Sequence, residues 1–400
     1  MKLSKEKILI VATILIDVIG VGIVIPSLPF YAASFGASAF SIAMLFSVFS
    51  FCAFLGSPLL GYLSDRFGRR PILIISLLTT SIGWFFFAGA RSLIFLFIGR
   101  IVDGSASGSV SAAQSYLTDI SHTDKDRTQN LGLIGAAFGI GFILGPMLGG
   151  VLSAISPTFP FWLSGFLALA NAISVYFFLP ETNKNLDNQK KISFNPIAPF
   201  IRAAKNKPLL PIYTVWILFI LAISIMQSIL ALYLEDVFHY GSFEVGLFMA
   251  GMGVVIALNQ AVVLKHFWLK YFEESKLGMW MLLISAIGFL FIGSKIFFVF
   301  VAGFIITAFG HSLIRILTTS QVAGASEKNE RGEALGMLSS LSFAAMAIGP
   351  IISGLSFQKN ISYPFLVSAF FMLSAFLISL NNKRKLDRLK LSEDATPATF

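Results

Sequence analysis

Five ionisable side chains, Asp17, Arg100, Asp103, His311 and Arg315, lie inside long stretches of otherwise apolar sequence. A charge in such a place is costly, about 2.5–3.5 kcal/mol for Asp or Arg at the centre of a membrane helix, so each must face a wet cavity or a partner. Asp17 sits about ten residues into its stretch, near mid-depth at ~1.5 Å per helical residue. A carboxyl group in a partly dry cavity can accept a proton and release it when the cavity changes sides. Arg100 and Asp103 are three apart, so on a helix they share a face and can pair. That pair reads either as static or as one that a proton or substrate breaks. Asp17, Asp103 and Arg100 are therefore the candidate proton-coupling set. His311 and Arg315, four apart, also share a face, and two cations there suit an anionic or zwitterionic group. Arg315 could instead snorkel or pair with Asp17, and His311 could be a neutral hydrogen-bonding side chain. Gln114, Gln227, Asn259 and Gln260 are further polar residues in apolar stretches. With Asp17, His311 and Arg315 they form the candidate substrate-binding set.

The stretches that must position these groups recur twelve times, at residues 8–31, 42–62, 71–90, 92–117, 131–155, 159–179, 209–234, 245–264, 277–294, 296–322, 335–357 and 363–380. Each is long enough to span a bilayer as a helix. The chain is 56% hydrophobic and 12% charged, about half the charge of an average soluble domain, which excludes a water-facing globule. The fold class is an all-α membrane protein with twelve transmembrane helices. A net charge of +9 would suit nucleic acid, but its distribution speaks for topology instead. With an inner amino terminus and alternating loops, 24 of the 29 Lys and Arg fall on inner segments and three on outer loops. That asymmetry places both termini in the cytoplasm, with some affinity for anionic membrane lipid and no nucleic-acid partner. Cys52 is the only cysteine, so no disulfide framework or cysteine metal site is available. The first span is too long for a signal-peptide core and reads as uncleaved. No Walker loop, metal-spaced His/Cys cluster or nucleophile elbow occurs. No enzyme activity, cofactor, metal or ATP drive is expected.

Residues 181–208 form the longest polar stretch and divide six spans from six. The expected organisation is a bundle over 1–180, a cytoplasmic linker over 181–208, a second bundle over 209–382 and a cytoplasmic tail over 383–400. Part of the linker reads as an amphipathic helix. A shift of 204 residues superposes Arg127 on Arg331, Gly145-Pro146 on Gly349-Pro350, Gly150 on Gly354 and Pro160-Phe161 on Pro364-Phe365. Two pseudo-symmetric six-helix repeats around a central path are a transporter architecture, with substrate held near mid-membrane between them.

Between the second and third spans the chain reads GYLSDRFGRRP. Gly61 and Gly68 permit close helix approach and a tight backbone, and Pro71 suits the first turn of the next helix. Asp65 can face a helix amino terminus, and Arg69 and Arg70 can pair with Asp119 at the inner end of the fourth span. With Arg66, these residues form a candidate gate whose charges hold the inner side shut and separate when it opens. A basic turn that only sets topology is the plainer reading. In the fifth span Gly141, Gly145 and Gly149 recur every four residues, a smooth packing face that Pro146 can bend and Gly150 extends.

These motifs carry a family resemblance. GYLSDRFGRR resembles the loop 2–3 signature of the major facilitator superfamily, and FIGRIVDGSASG resembles its helix 4 motif, with Arg100 as the basic residue. GFILGPMLGG is similar to the helix 5 motif of antiporters, and IDVIGVGIVIPSLPFY to helix 1 of drug–proton antiporters. Tetracycline efflux pumps are the branch most resembled, over most of the first half and more loosely the second. The resemblance implies the major facilitator fold, Asp17 as the helix 1 acid, and Gln227 and Gln260 at positions on helices 7 and 8. The chain departs from those pumps on helices 3 and 9, where TSIGWFFF and ISAIGFLF carry no acid, and Ile256 stands near their helix 8 histidine. Asp103 and Arg315 have no evident counterpart.

The implied function is proton-coupled export of a small amphiphilic organic molecule, such as a drug, a siderophore-like chelate or another metabolite, by alternating access. The implied setting is the cytoplasmic (inner) membrane, with drug resistance as one outcome. A monomer with the small molecule and protons as partners is expected. The rival readings are a proton-coupled importer or facilitator of an organic anion on the same fold, and a receptor or scaffold without flux.

Overall fold

The computed structural model describes residues 4–121, 123–183, 198–327 and 331–394. These residues form helices only, with no strand among them. Twelve helical stretches are long and apolar enough to cross a membrane, one for each stretch expected from the sequence. The first half runs α1 (Lys5–Ala33), α2 (Ala39–Phe67), α3 (Arg69–Ala88), α4 (Leu93–Ser105), α5 (Ser109–Asp119), α6 (Asp124–Ile155) and α7 (Phe159–Phe178). Side-chain caps mark the starts of α1, α2 and α6. Ser4 Oγ accepts from the Lys7 amide at 3.3 Å, Ser38 Oγ from Ser41 at 3.2 Å, and Thr123 Oγ1 from Asp126 at 3.1 Å. The short helix α8 (Ala198–Lys205) is the one expected of the linker, and residues 184–197 of that segment lie outside the described residues. The second half continues with α9 (Leu210–Phe238), α10 (Ser242–Leu258), a π-helix (Asn259–Trp268), α11 (Leu269–Tyr271), α12 (Glu274–Ile292), α13 (Phe297–Ala325), α14 (Arg331–Lys359) and α15 (Tyr363–Asp394).

Three features depart from twelve plain rods. The fourth span breaks at Ala106–Gly108, between α4 and α5. The sequence SASGS there is poor in helix formers, and Ser105 and Ser107 donate their hydroxyls back to the Val102 and Asp103 carbonyls, which bends helices. The eighth span leaves the α ladder at Asn259. The last helix continues through the start of the expected tail, as far as Asp394.

Contacts gather the chain into two units, and these cut across the sequence repeat. One comprises Met1–Pro196, Gln227–Ala257 and Met346–Ile361; the other comprises Ile197–Met226, Leu258–Ala345 and Ser362–Phe400. Helix association in lipid lacks a hydrophobic drive, so small residues that let backbones approach decide who packs with whom. In the first unit a β-carbon on Gly150 would meet the Phe243 carbonyl oxygen at 3.0 Å, and one on Gly354 the Phe40 α-carbon at 2.9 Å. Ser47 Oγ donates to the Ala347 carbonyl at 2.5 Å. Its aromatic core joins Tyr31, Trp84, Phe87 and Phe161, with centroids 4.8–6.4 Å apart, and the Tyr31 hydroxyl donates to the Phe87 carbonyl at 3.1 Å. Buried amides and hydroxyls bridge spans here. Asn171 Nδ2 donates to the Thr13 carbonyl at 3.0 Å and Ser81 Oγ to the Gly165 carbonyl at 2.8 Å.

The second unit uses the same device. Trp216 Nε1 donates to the Leu338 carbonyl and to Ser342 Oγ, each at 2.9 Å, and Ser368 Oγ to the Ala222 carbonyl at 3.0 Å. Each satisfies a polar group that hydrocarbon could not.

Candidate functional site

The charged turn is an ion-pair node. Arg69 Nη1 lies 2.5 Å from Asp65 Oδ1 and 2.7 Å from Ser64 Oγ, while its Nε lies 3.1 Å from Asp119 Oδ2. One guanidinium thus ties the end of α2 to the end of α5, with its side chain only 12% exposed. Two expectations need correction. Arg70 does not pair with Asp119; it donates to the Tyr176 carbonyl and stacks 5.5 Å from that ring, because the turn points it toward α7. Gly61 makes no close helix approach, since a β-carbon there would meet nothing within 4 Å. Gly68 does carry the tight backbone, at φ 105°. Arg66 lies over the Phe67 ring at 5.3 Å.

A residue missed in the sequence completes this node. The Glu181 carboxylate accepts from the Arg69 and Arg70 amides at 2.9 and 3.0 Å, capping α3 from more than a hundred residues away. It also accepts from the Thr182 and Asn183 amides at 2.9 Å each, so the chain leaving α7 is pinned to the turn. Asn183 Nδ2 donates to the Asp65 carbonyl at 2.8 Å, and Thr182 Oγ1 to Asp119 Oδ2 at 3.3 Å. An acid directly after a span, in a segment otherwise rich in Lys, was the available signal.

Asp17 is half-buried on α1, and its Oδ2 accepts from Ser109 Oγ at 2.6 Å. Ser109 is the first residue of α5, so the break in the fourth span delivers a hydroxyl and a helix amino terminus, which favours negative charge, to the carboxylate. Ser109 had no motif to mark it. Gln114, one turn and a half further on, is exposed.

On α4 the Arg100–Asp103 pair is buried, with side chains 6% and 5% exposed and a long Nη1–Oδ2 distance of 3.7 Å. Phe46, Phe49, Trp84 and Phe87 surround the guanidinium, their centroids 5.1–5.7 Å from Cζ. Cation–π attraction from four rings adds to the hold of the carboxylate on Arg100. Gly83 permits this approach, since a β-carbon there would stand 2.8 Å from that of Asp103.

The fifth-span glycines face the helix that bears Asp17. A β-carbon on Gly141 would meet Val18 Cγ1 at 2.6 Å, one on Gly145 the Gly22 α-carbon at 2.7 Å, and one on Gly149 would overlap the Ile23 backbone. Gly150 turns the opposite way, against Phe243 and Gly246 of α10, while the Pro146 ring stays on the α1 side, its Cδ 3.1 Å from where a β-carbon on Gly22 would stand.

In the second unit His311 and Arg315 share one face of α13. His311 packs edge-on to Phe219 at 5.5 Å. Arg315 is exposed. Arg202–Glu333 and Lys276–Glu273 are the ion pairs described in this unit, and neither involves it. Asn259 is fully buried and engaged at both ends of its amide: Nδ2 donates to Ser312 Oγ at 3.2 Å, and Oδ1 accepts from Trp268 Nε1 at 2.8 Å. Its neighbour Gln260 is exposed, and Gln227, in the first unit, is half-buried.

The family model described as Major Facilitator Superfamily matches residues 10–269 and 264–400. The tetracycline resistance protein, class B, of Escherichia coli is 28% identical over 365 residues, 90% of each chain. Multidrug resistance protein 1 of Bacillus subtilis is 29% identical over 370 residues, 89% of this chain and 91% of its own. Among solved structures, the human organic anion transporter MFSD10 (TETRAN) is similar in fold, with a TM-score of 0.73 at 22% identity over 94% of this chain and 98% of that one.

Proposed function

The chain belongs to the Major Facilitator Superfamily, whose members move small molecules and are not enzymes, and from that premise we propose that it exports a small amphiphilic organic molecule in exchange for protons. The observation that carries the reading is Asp17. It is one of two acids within the apolar stretches, and it is held by Ser109 at the break in the fourth span. A carboxyl at such a site can load a proton from one side and release it to the other. The two bundles over 1–180 and 209–382 alternate access to a site between them, in the cytoplasmic membrane with both termini inside. The Arg69 node and its Glu181 anchor steady the inner side, and the Gly141–Gly149 face lets α6 move closely against the helix that bears Asp17. The relatives' names support a drug-like substrate. The missing acids on helices 3 and 9 speak against tetracycline itself. His311 and Arg315 speak for an anionic or zwitterionic group on whatever is carried.

The test is flux in proteoliposomes of defined orientation, using a carboxylated and a cationic fluorescent dye as probes. An imposed inward proton gradient should drive either probe out, and Asp17→Asn should abolish uphill movement while sparing exchange. Uphill transport at the parent rate in Asp17→Asn, or dye movement in the direction of the protons, would overturn the proposal.

A further inference from the structure

Residues Asn259–Trp268 of the eighth span form a π-helix of ten residues. Such helices occur mostly as single-turn bulges, frequently at functional sites. Burial along this stretch follows the same unusual period. Asn259 is buried, Val263, Leu264 and Trp268 are half-buried, and every other residue in it is exposed. Sheltered positions thus recur at intervals of four to five, which suits the about 4.4 residues per turn of an i→i+5 ladder. The about 3.6 of an α-helix would shelter residue 266 instead.

Asn259 and Trp268 are nine residues apart. At about 3.6 residues per turn they would complete two and a half turns and face opposite ways. At about 4.4 they complete two turns and share a face. The 2.8 Å hydrogen bond from Trp268 Nε1 to Asn259 Oδ1 therefore belongs to the π register alone. The other end of the same amide is tied to Ser312 on α13 at 3.2 Å. Both the amino and the carbonyl end of this fully buried amide are engaged by protein partners. We infer that Asn259 is a positioning residue: bridging Trp268 to Ser312, it holds the second half of the eighth span in π register and so decides that Leu264, and not His266, faces the packed stripe.

The inference goes beyond the proposed transport function, and its test reads helix register rather than flux. In the full chain with Cys52→Ser, spin labels are attached at Leu264→Cys or His266→Cys, and their collision accessibility to oxygen is compared. In π register position 264 is sheltered and 266 open; in an α-helix anchored at 259, the two exchange. The expected result is a 264-to-266 accessibility ratio below one in the parent, inverted in Asn259→Leu and in Trp268→Phe, which keeps a ring and loses only the donor. A ratio above one in the parent, or an unchanged ratio in Trp268→Phe, would overturn it. Trp268→Phe decides the matter alone if Asn259→Leu does not fold.

Discussion

Gly145 of α6 lies so close to Gly22 of α1 that a β-carbon on Gly145 would stand 2.7 Å from the Gly22 α-carbon. Backbone meets backbone there, with no side chain able to give way. Gly145→Ala should therefore destabilise the protein by about 1–3 kcal/mol, as overpacking does. Gly135, on the same helix with nothing within 4 Å, is the control. Gly135→Ala should be neutral or gain about 0.5–1 kcal/mol, since glycine costs a helix that much. Denaturation midpoints in detergent distinguish the two, and equal midpoints would mean that α1 and α6 do not pack as closely as this.

The Glu181 cap yields a local readout. Glu181→Ala strips the Arg69 and Arg70 amides of their acceptor, and lost caps cost about 0.5–2 kcal/mol. Hydrogen exchange at the first turn of α3 should accelerate roughly two- to thirtyfold, the range that energy converts to, while exchange in the middle of α3 stays unchanged. Unaltered exchange at Arg69 and Arg70 would show that water satisfies those amides equally well.

Ser109 should matter because Asp17 does. A hydrogen bond to a charged group contributes about 1.5–3 kcal/mol, so Ser109→Ala should lower gradient-driven transport by about tenfold or more at unchanged protein level. Ser109→Thr keeps the hydroxyl and should retain most of the rate. If Ser109→Ala transports uphill as the parent does, the hydroxyl plays no part in proton exchange.

Arg315 separates two substrate classes. If it receives a negative group, Arg315→Gln should weaken binding of a carboxylated dye by about 1.5–3 kcal/mol and leave a cationic dye unaffected. Equal affinities of the variant and the parent for both dyes would identify Arg315 as a snorkelling residue and remove the preference for anions.

The twelve spans and the charged turn could be read from the chain itself because the forces behind them act locally. A bilayer demands runs of about twenty apolar residues with every backbone group bonded inside the segment, and that demand is written residue by residue. The Asp65–Arg69 pair, one helical turn apart, belongs to the same class, as does the four-residue glycine period of the fifth span. What the chain could not disclose depends on which faces meet. Ser109 reaches Asp17 across 92 residues, and Glu181 reaches Arg69 across 112. The Arg100 cage draws rings from α2 and α3. Hydropathy at Asn259–Trp268 fits an α-helix as well as a π-helix, and it is the hydrogen bond from Trp268 to Asn259, itself tied to Ser312 on another span, that goes with the π register. Partner choice among apolar helices turns on close approach at small residues, a property of pairs of surfaces and not of any one stretch of sequence.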